Sequence, residues 1–167
     1  SFASVMSASR AETVTSSARA ERLEQLARLC RGGREGPPPR VEPSGSASLD
    51  AVLPGGGWQS GTIVELMPMS DGIGELRLLM PALAKITQGE GHVAMIAPPY
   101  IPFAPALLRH GLRLEHFWII RAQSAADILW SAEQTLRCKS FGAVLAWPSA
   151  IRDREVRRVQ LAAGAGG

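Results

Sequence analysis

The sequence predicts an α/β domain built on a parallel sheet with helices on both faces. Short apolar runs, nearly continuous rather than alternating, recur along the chain beyond residue 47, as strands buried on both faces require. Stretches with apolar residues at helical spacing separate these runs, which is the pattern of a parallel sheet. The chain has 167 residues, 46% of them hydrophobic and 20% charged, enough for one domain with an apolar core.

The N-terminal part of the chain has a different organisation. Residues 1–31 are rich in Ser, Ala and Arg, and the recurrence of Leu23, Leu26 and Cys30 at helical spacing predicts an amphipathic helix. Residues 32–47 are predicted to be a linker, because their proline run and paired glycines can neither continue a helix nor enter a sheet. The α/β domain is predicted over residues 48–167. It ends in a glycine-rich stretch without a further strand, so either the sheet ends early or the domain is truncated.

Strands and helices alternate along the predicted domain. The strands are predicted at residues 62–67, 92–97, 117–121 and 143–147. The helices are predicted at residues 75–87, 105–110, 125–139 and 152–163. Ser124 is suited to cap the third helix, because a serine hydroxyl can accept a hydrogen bond from an N–H group of the first turn.

Several classes of protein are excluded by what the sequence lacks. No apolar run approaches the roughly 18 residues of a membrane-spanning helix, and the chain does not begin like a secretory signal. We therefore expect a cytoplasmic protein with no membrane contact. Cys30 and Cys138 are isolated, and the three histidines have no second ligand at metal-binding spacing. Neither a disulfide framework nor a metal site is expected.

Basic residues are concentrated near the C-terminus. The net charge is +3, but residues 137–167 carry six basic against two acidic residues. The densest cluster is Arg152, Arg154, Arg157 and Arg158, of which the last three share one face of a helix. Such a face could bind DNA phosphates or a partner, and a solvated helix surface is the alternative.

A loop stands where a nucleotide-binding protein would place its phosphate loop. A glycine-rich block, Leu49–Trp58, precedes the first strand, and the loop after this strand leads into a helix. The loop consists of Pro68, Met69, Ser70, Asp71, Gly72, Ile73, Gly74 and Glu75. From Gly45 to Pro148 the chain resembles the RecA recombinase family. This resemblance implies a RecA-like fold of the phosphate-loop NTPase type.

The positions that carry the chemistry of that family are replaced. Gly74-Glu75-Leu76 stands where Gly-Lys-Thr is expected, and a carboxylate repels phosphate while leucine cannot ligate Mg²⁺. Pro99 falls at the position of the glutamate that activates water, and Trp147 at that of the aspartate that helps to hold Mg²⁺. We therefore expect a degenerate loop, no cofactor and no ATPase activity.

A more specific resemblance is to the ImuA family, RecA-like accessory proteins of translesion DNA synthesis. It is carried by Leu53-Pro54-Gly55-Gly56-Gly57-Trp58, by Gly72-Ile73-Gly74-Glu75-Leu76, by Ile96-Ala97-Pro98-Pro99-Tyr100 and by Ala143-Val144-Leu145-Ala146-Trp147. The resemblance implies a non-catalytic adaptor of the SOS response to DNA damage. Its implied partners are an ImuB-like Y-family polymerase homologue, an error-prone replicative-type polymerase and the RecA recombinase.

Two alternatives stay open. From Leu66 to Ala163 the chain more distantly resembles SulA, the SOS inhibitor of cell division that acts on FtsZ, although the block Leu49–Trp58 favours ImuA. The second alternative is a RecA-like protein that binds DNA through the face Arg152–Arg158.

Aromatic residues supply further candidate contacts with a partner. Tyr100 and Phe103 follow the second strand, at the carboxyl edge where parallel sheets bind ligands. Packing of the proline-rich loop is the alternative role for them. We expect the four tryptophans to lie mostly in the core, with Trp58 as the candidate for an exposed anchor.

Overall fold

The computed structural model describes residues 4–7, 39–70, 72 and 74–166. In chain order its strands are β1 (Ser4–Ser7), β2 (Val41–Glu42), β3 (Trp58–Gln59), β4 (Ile63–Leu66), β5 (His92–Ile96), β6 (Phe117–Ile120) and β7 (Phe141–Ala146). Its α-helices are α1 (Ala47–Asp50), α2 (Met80–Gln88), α3 (Ala104–Arg109), α4 (Ala125–Arg137) and α5 (Asp153–Gly166). Three short 3₁₀ helices lie at Pro54–Gly56, Glu75–Leu78 and Leu114–His116.

Five strands form a parallel sheet in the order β4-β1-β7-β5-β6. Every neighbouring pair in it is parallel, as the sequence predicts. The four predicted strands are all present, shifted by at most two residues at either end. The structure therefore confirms the α/β class and the parallel sheet.

Helices cover the sheet on both faces. Alternate residues of β5 point to opposite faces, and Val93, Ala94, Met95 and Ile96 are all 0% exposed. On one face, α2 and α3 contribute Leu83 and Leu107 to a core that includes Val93, Met95 and Leu145. On the other face, α4 and α5 pack on Ala94, Ile96 and Val144 through apolar residues. The residues on α4 are Ile128, Leu129, Ala132 and Leu136, as predicted.

Strand β1 lies between β4 and β7, inside the sheet. Ser4 is paired with Ile63 on one side and with Val144 on the other. Residues 1–31 are predicted to lie apart from the domain, but four of them form a strand of its sheet. The predicted amphipathic helix around Leu23 and Cys30 lies outside the described residues.

Part of the predicted linker packs onto the domain. Strand β2 pairs antiparallel with β3, placing Val41 opposite Gln59 and Glu42 opposite Trp58. Gly57 makes this contact possible, because a Cβ at this position would lie 2.5 Å from the carbonyl oxygen of Glu42. The glycine-rich block is therefore a structural element that holds the ribbon of β2 and β3 against the sheet.

The ends of the helices follow local sequence signals. Ser124 caps α4, accepting a hydrogen bond at Oγ from the backbone N–H of Asp127 at 3.1 Å, which confirms the predicted cap. The helix predicted at residues 75–87 is divided into a 3₁₀ turn and α2, and Pro81 lies in the first turn of α2, where proline is favoured. Among the described residues, no helix is long and apolar enough to cross a bilayer.

Candidate functional site

The segment predicted to be a degenerate phosphate loop, residues 68–75, connects β4 to the 3₁₀ helix that begins at Glu75. Gly72 and Gly74 adopt positive φ angles of 78° and 103°, a conformation that glycine adopts without steric penalty. The Glu75 carboxylate accepts hydrogen bonds from the backbone N–H of Gly74 at 3.1 Å and from that of Gly72 at 3.4 Å. An anionic side chain therefore occupies donors of the kind that a phosphate loop offers to its ligand. Asp71 and Ile73 lie outside the described residues.

Three of the positions predicted to be replaced, Glu75, Leu76 and Trp147, line one small cavity of about 10 Å³. The rest of its lining is apolar and consists of Leu66, Leu79, Leu145 and Ala146. A cavity of this volume has room for about one water molecule. Pro99, the fourth of these positions, is exposed and does not line the cavity.

An apolar surface lies at the same edge of the sheet, where the loops after β4 and β5 meet. We call it the apolar rim, and it consists of Met69, Tyr100, Ile101 and Phe103. Their exposed fractions are 101%, 67%, 73% and 67%. The two loops are adjacent, because a Cβ on Gly72 would lie 3.5 Å from the ring of Tyr100.

Tyr100 and Phe103 are therefore exposed at the surface and are not buried by packing of the proline-rich loop. Sequence reasoning missed Ile101. Its position between Tyr100 and Pro102 in a proline-rich loop is a signal, because prolines restrict the backbone conformations by which the loop could pack this side chain.

The tryptophans differ from the expectation. Trp58 is 2% exposed and belongs to the core, so its prediction as an exposed anchor is wrong. The antiparallel pairing of β2 and β3 holds it there. Trp118 and Trp130 are 53% and 61% exposed, so the expectation that they lie in the core is also wrong. Trp118 lies on the edge strand β6, and Trp130 lies on the face of α4 that points away from the sheet.

The four arginines of the predicted cluster differ in their contacts. Arg158 donates from Nη2 to the Glu133 carboxylate at 2.5 Å, and Arg137 donates to the other oxygen of that carboxylate at 2.6 Å. The backbone N–H of Arg152 donates to Glu155 at 2.8 Å, at the beginning of α5. Arg154 and Arg157 are exposed, and neither is ion-paired within the part of the chain that the structure describes.

Comparisons with known proteins give matches among solved structures. No protein-family model matches the sequence, and no curated protein matches it. Among solved structures, that of SulA from Pseudomonas aeruginosa is similar, with 26% identity over 58% of this chain and 85% of that chain. The TM-score is 0.48. The resemblance to ImuA receives no support from these comparisons.

Proposed function

We propose that this protein acts in the SOS response by binding another protein, and that it does not hydrolyse ATP. The observation that carries the proposal is the contact of Glu75 with its own loop. A nucleotide phosphate would have to displace a carboxylate from the loop amides and would be repelled by it. Neither Leu76 nor Trp147 can replace the missing Mg²⁺ ligands, and Pro99 cannot act as a base.

The apolar rim supports protein binding as the remaining activity. Four large apolar side chains exposed together at the carboxyl edge of a parallel sheet are typical of an interaction surface. The sequence between Ile96 and Arg109 contains no charged residue, which favours a protein partner over nucleic acid. Pro98, Pro99 and Pro102 restrict the backbone, so little conformational entropy is lost on binding.

FtsZ is the first candidate partner. The part of the chain that resembles SulA, from Leu66 to Ala163, includes every residue of the apolar rim. The block Leu49–Trp58, which favours ImuA in the sequence, contributes a buried tryptophan and a structural ribbon rather than an exposed anchor. We therefore place inhibition of FtsZ before the adaptor role. We also propose that the domain shares its ancestry with the RecA family.

An ImuA-like adaptor is the second candidate function. It is favoured by the sequence resemblance of the block Leu49–Trp58 to the ImuA family. In this role the apolar rim would bind the ImuB-like polymerase homologue, the error-prone polymerase or the RecA recombinase.

Direct binding measurements separate these candidates. Purified wild-type protein is immobilised and titrated with FtsZ, with the ImuB-like protein and with RecA. The test variant is Tyr100→Ser/Phe103→Ser, and the control is Val52→Ser, which removes an apolar side chain that is 76% exposed outside the rim. We expect saturable binding of FtsZ that the test variant loses and the control retains. Binding of the ImuB-like protein with the same dependence on the rim would favour the adaptor, and equal binding by both variants would contradict the rim as the site.

A further inference from the structure

The outward surface of the helix pair α4 and α5 combines exposed aromatic, apolar and basic side chains. We call it the α4–α5 face, and it consists of Trp130, Arg137, Arg154, Arg157, Arg158 and Leu161. Trp130 and Leu161 are 61% and 68% exposed. This surface covers one face of the sheet, whereas the apolar rim lies at the carboxyl edge.

The two helices run in the same direction. Helix α4 follows β6 in the chain, and helix α5 follows β7. Each helix begins at the carboxyl end of its strand, and the two strands are parallel in the same sheet. Farther along α5, the Gln160 side chain donates a hydrogen bond to the carbonyl oxygen of Gly61 at 2.7 Å, beside the amino end of β4. Helix α5 therefore crosses the sheet from its carboxyl edge to its amino edge.

The ion pair between Arg158 and Glu133 shows which positions of α4 and α5 lie side by side. Trp130 precedes Glu133 by about one turn of α4, and Arg154 precedes Arg158 by about one turn of α5. Because the helices are parallel, Trp130 and Arg154 lie at the same level on neighbouring helices. Arg157 lies on the outward side of α5, one turn beyond Arg154.

The balance of charge on this face is positive. Glu133 is its buried acid, and Arg137 and Arg158 both pair with it. Asp127 is an exposed acid on α4, one turn before Trp130, and its carboxylate accepts a hydrogen bond from Ser124. Asp153 and Glu155 lie in the first turn of α5, where Glu155 accepts the hydrogen bond from the backbone of Arg152. Arg154 and Arg157 are left as charges without an ion-pair partner among the described residues.

We propose that the α4–α5 face binds single-stranded nucleic acid, with a base stacked on Trp130 and phosphates bound by Arg154 and Arg157. An exposed indole ring can stack on an unpaired base, whereas the bases of a duplex are stacked on one another. Guanidinium groups form bidentate hydrogen bonds with phosphate oxygens. Trp130 and Leu161 are separated by arginines and form no continuous apolar groove, so the face does not fit an amphipathic helix.

Binding of a fluorescent oligothymidine to the purified full-length chain tests this proposal. Anisotropy is measured as a function of salt for wild type, Trp130→Ala and Arg154→Glu/Arg157→Glu. The control is Arg40→Glu/Arg109→Glu, which changes the net charge equally at two exposed arginines away from the α4–α5 face. Loss of two phosphate contacts lowers the slope of log affinity against log salt by roughly 1.4. We also expect Arg154→Glu/Arg157→Glu to bind at least ten times more weakly than the control.

The contribution of Trp130 is distinguished by its salt dependence. We expect Trp130→Ala to weaken binding about tenfold without changing the slope, since stacking involves no counterion release. No binding in 50 mM salt, equal weakening by the control variant, or tighter binding of a duplex of the same length would each overturn the proposal. Equal binding of polyglutamate would also overturn it, because the face would then attract any polyanion.

Discussion

The backbone N–H of Gly74 donates a hydrogen bond to the carboxylate of Glu75, the next residue in the chain, at 3.1 Å. The same carboxylate accepts a hydrogen bond from Gly72, so the loop is held by an anion that belongs to the protein. A hydrogen bond to a charged group contributes about 1.5–3 kcal/mol where it is shielded from water and less where it is exposed. The loop can therefore keep its shape without a bound nucleotide.

Removal of this carboxylate is expected to loosen the loop. Glu75→Ala leaves the amides of Gly72 and Gly74 without their acceptor, and we predict a loss of about 1 kcal/mol in the free energy of unfolding. Glu75→Gln keeps an acceptor oxygen and is expected to lose less. Urea unfolding measures both variants. A loss as large for Gln as for Ala would show that the hydrogen bonds contribute little.

A lysine at position 75, where a phosphate loop would have one, is not expected to produce an ATPase. Glu75→Lys provides a cation, but Leu76 still lacks a hydroxyl for Mg²⁺ and Pro99 still provides no base. We predict no phosphate release above background from either wild type or Glu75→Lys, measured with ATP and Mg²⁺. Mg²⁺-dependent hydrolysis by the wild type that disappears when residues 68–75 are changed would contradict the proposed function.

The carboxylate of Glu133 connects α4 to α5. Its side chain is 8% exposed, and those of Arg137 and Arg158 are 56% and 63% exposed. Because both guanidinium groups can return to water, we predict that Glu133→Ala lowers the free energy of unfolding by about 1–2 kcal/mol rather than by the larger cost of a fully buried pair. Thermal unfolding should show a Tm lower by roughly 3–6 °C. Gln134→Ala, at an exposed neighbouring position, is the control and should leave Tm within about 2 °C.

The chain after α2 passes through a left-handed residue. Glu90 is exposed and has a φ of 66°, a conformation that favours glycine after a helix. We predict that Glu90→Gly raises the free energy of unfolding by about 1 kcal/mol relative to Glu90→Ala, which keeps the Cβ and its strain. Chemical denaturation of the two variants provides the measurement. Equal stability would contradict a left-handed conformation at this residue.

The ribbon of β2 and β3 depends on the absence of a side chain at Gly57. Gly57→Ala would place a Cβ 2.5 Å from the backbone oxygen of Glu42, and overpacking of this kind costs about 1–3 kcal/mol. We predict a lower Tm and increased fluorescence exposure of Trp58. Gly89→Ala is the matched control, because its Cβ would make an ordinary contact at 3.4 Å. A Tm unchanged in both variants would contradict this packing.

The sequence predicted features that depend on local periodicity and missed those that depend on distant pairing. The four predicted strands and the Ser124 cap follow from short-range patterns, and all are present. Strand β1 has four residues and pairs with strands far along the chain, so no local pattern identifies it. The burial of Trp58 likewise depends on its pairing with Glu42.

The outward orientation of Trp130 could have been predicted from the sequence. Ile128, Leu129, Ala132 and Leu136 define the inward face of α4, and a residue at position 130 of that helix points away from them. The ion pair of Arg158 with Glu133 could not be predicted from the sequence, because it depends on how α4 and α5 pack against each other. The candidate site was predictable as a list of replaced residues, whereas the occupation of the loop amides by Glu75 required the structure.

GTP turnover by FtsZ, measured with an equimolar amount of this protein, tests directly whether the protein inhibits FtsZ. We predict that wild type and Val52→Ser suppress turnover, that Tyr100→Ser/Phe103→Ser does not, and that ATP changes none of these results. Unchanged turnover with wild type would contradict inhibition of FtsZ. Suppression that requires ATP would contradict the claim that the protein acts without a nucleotide.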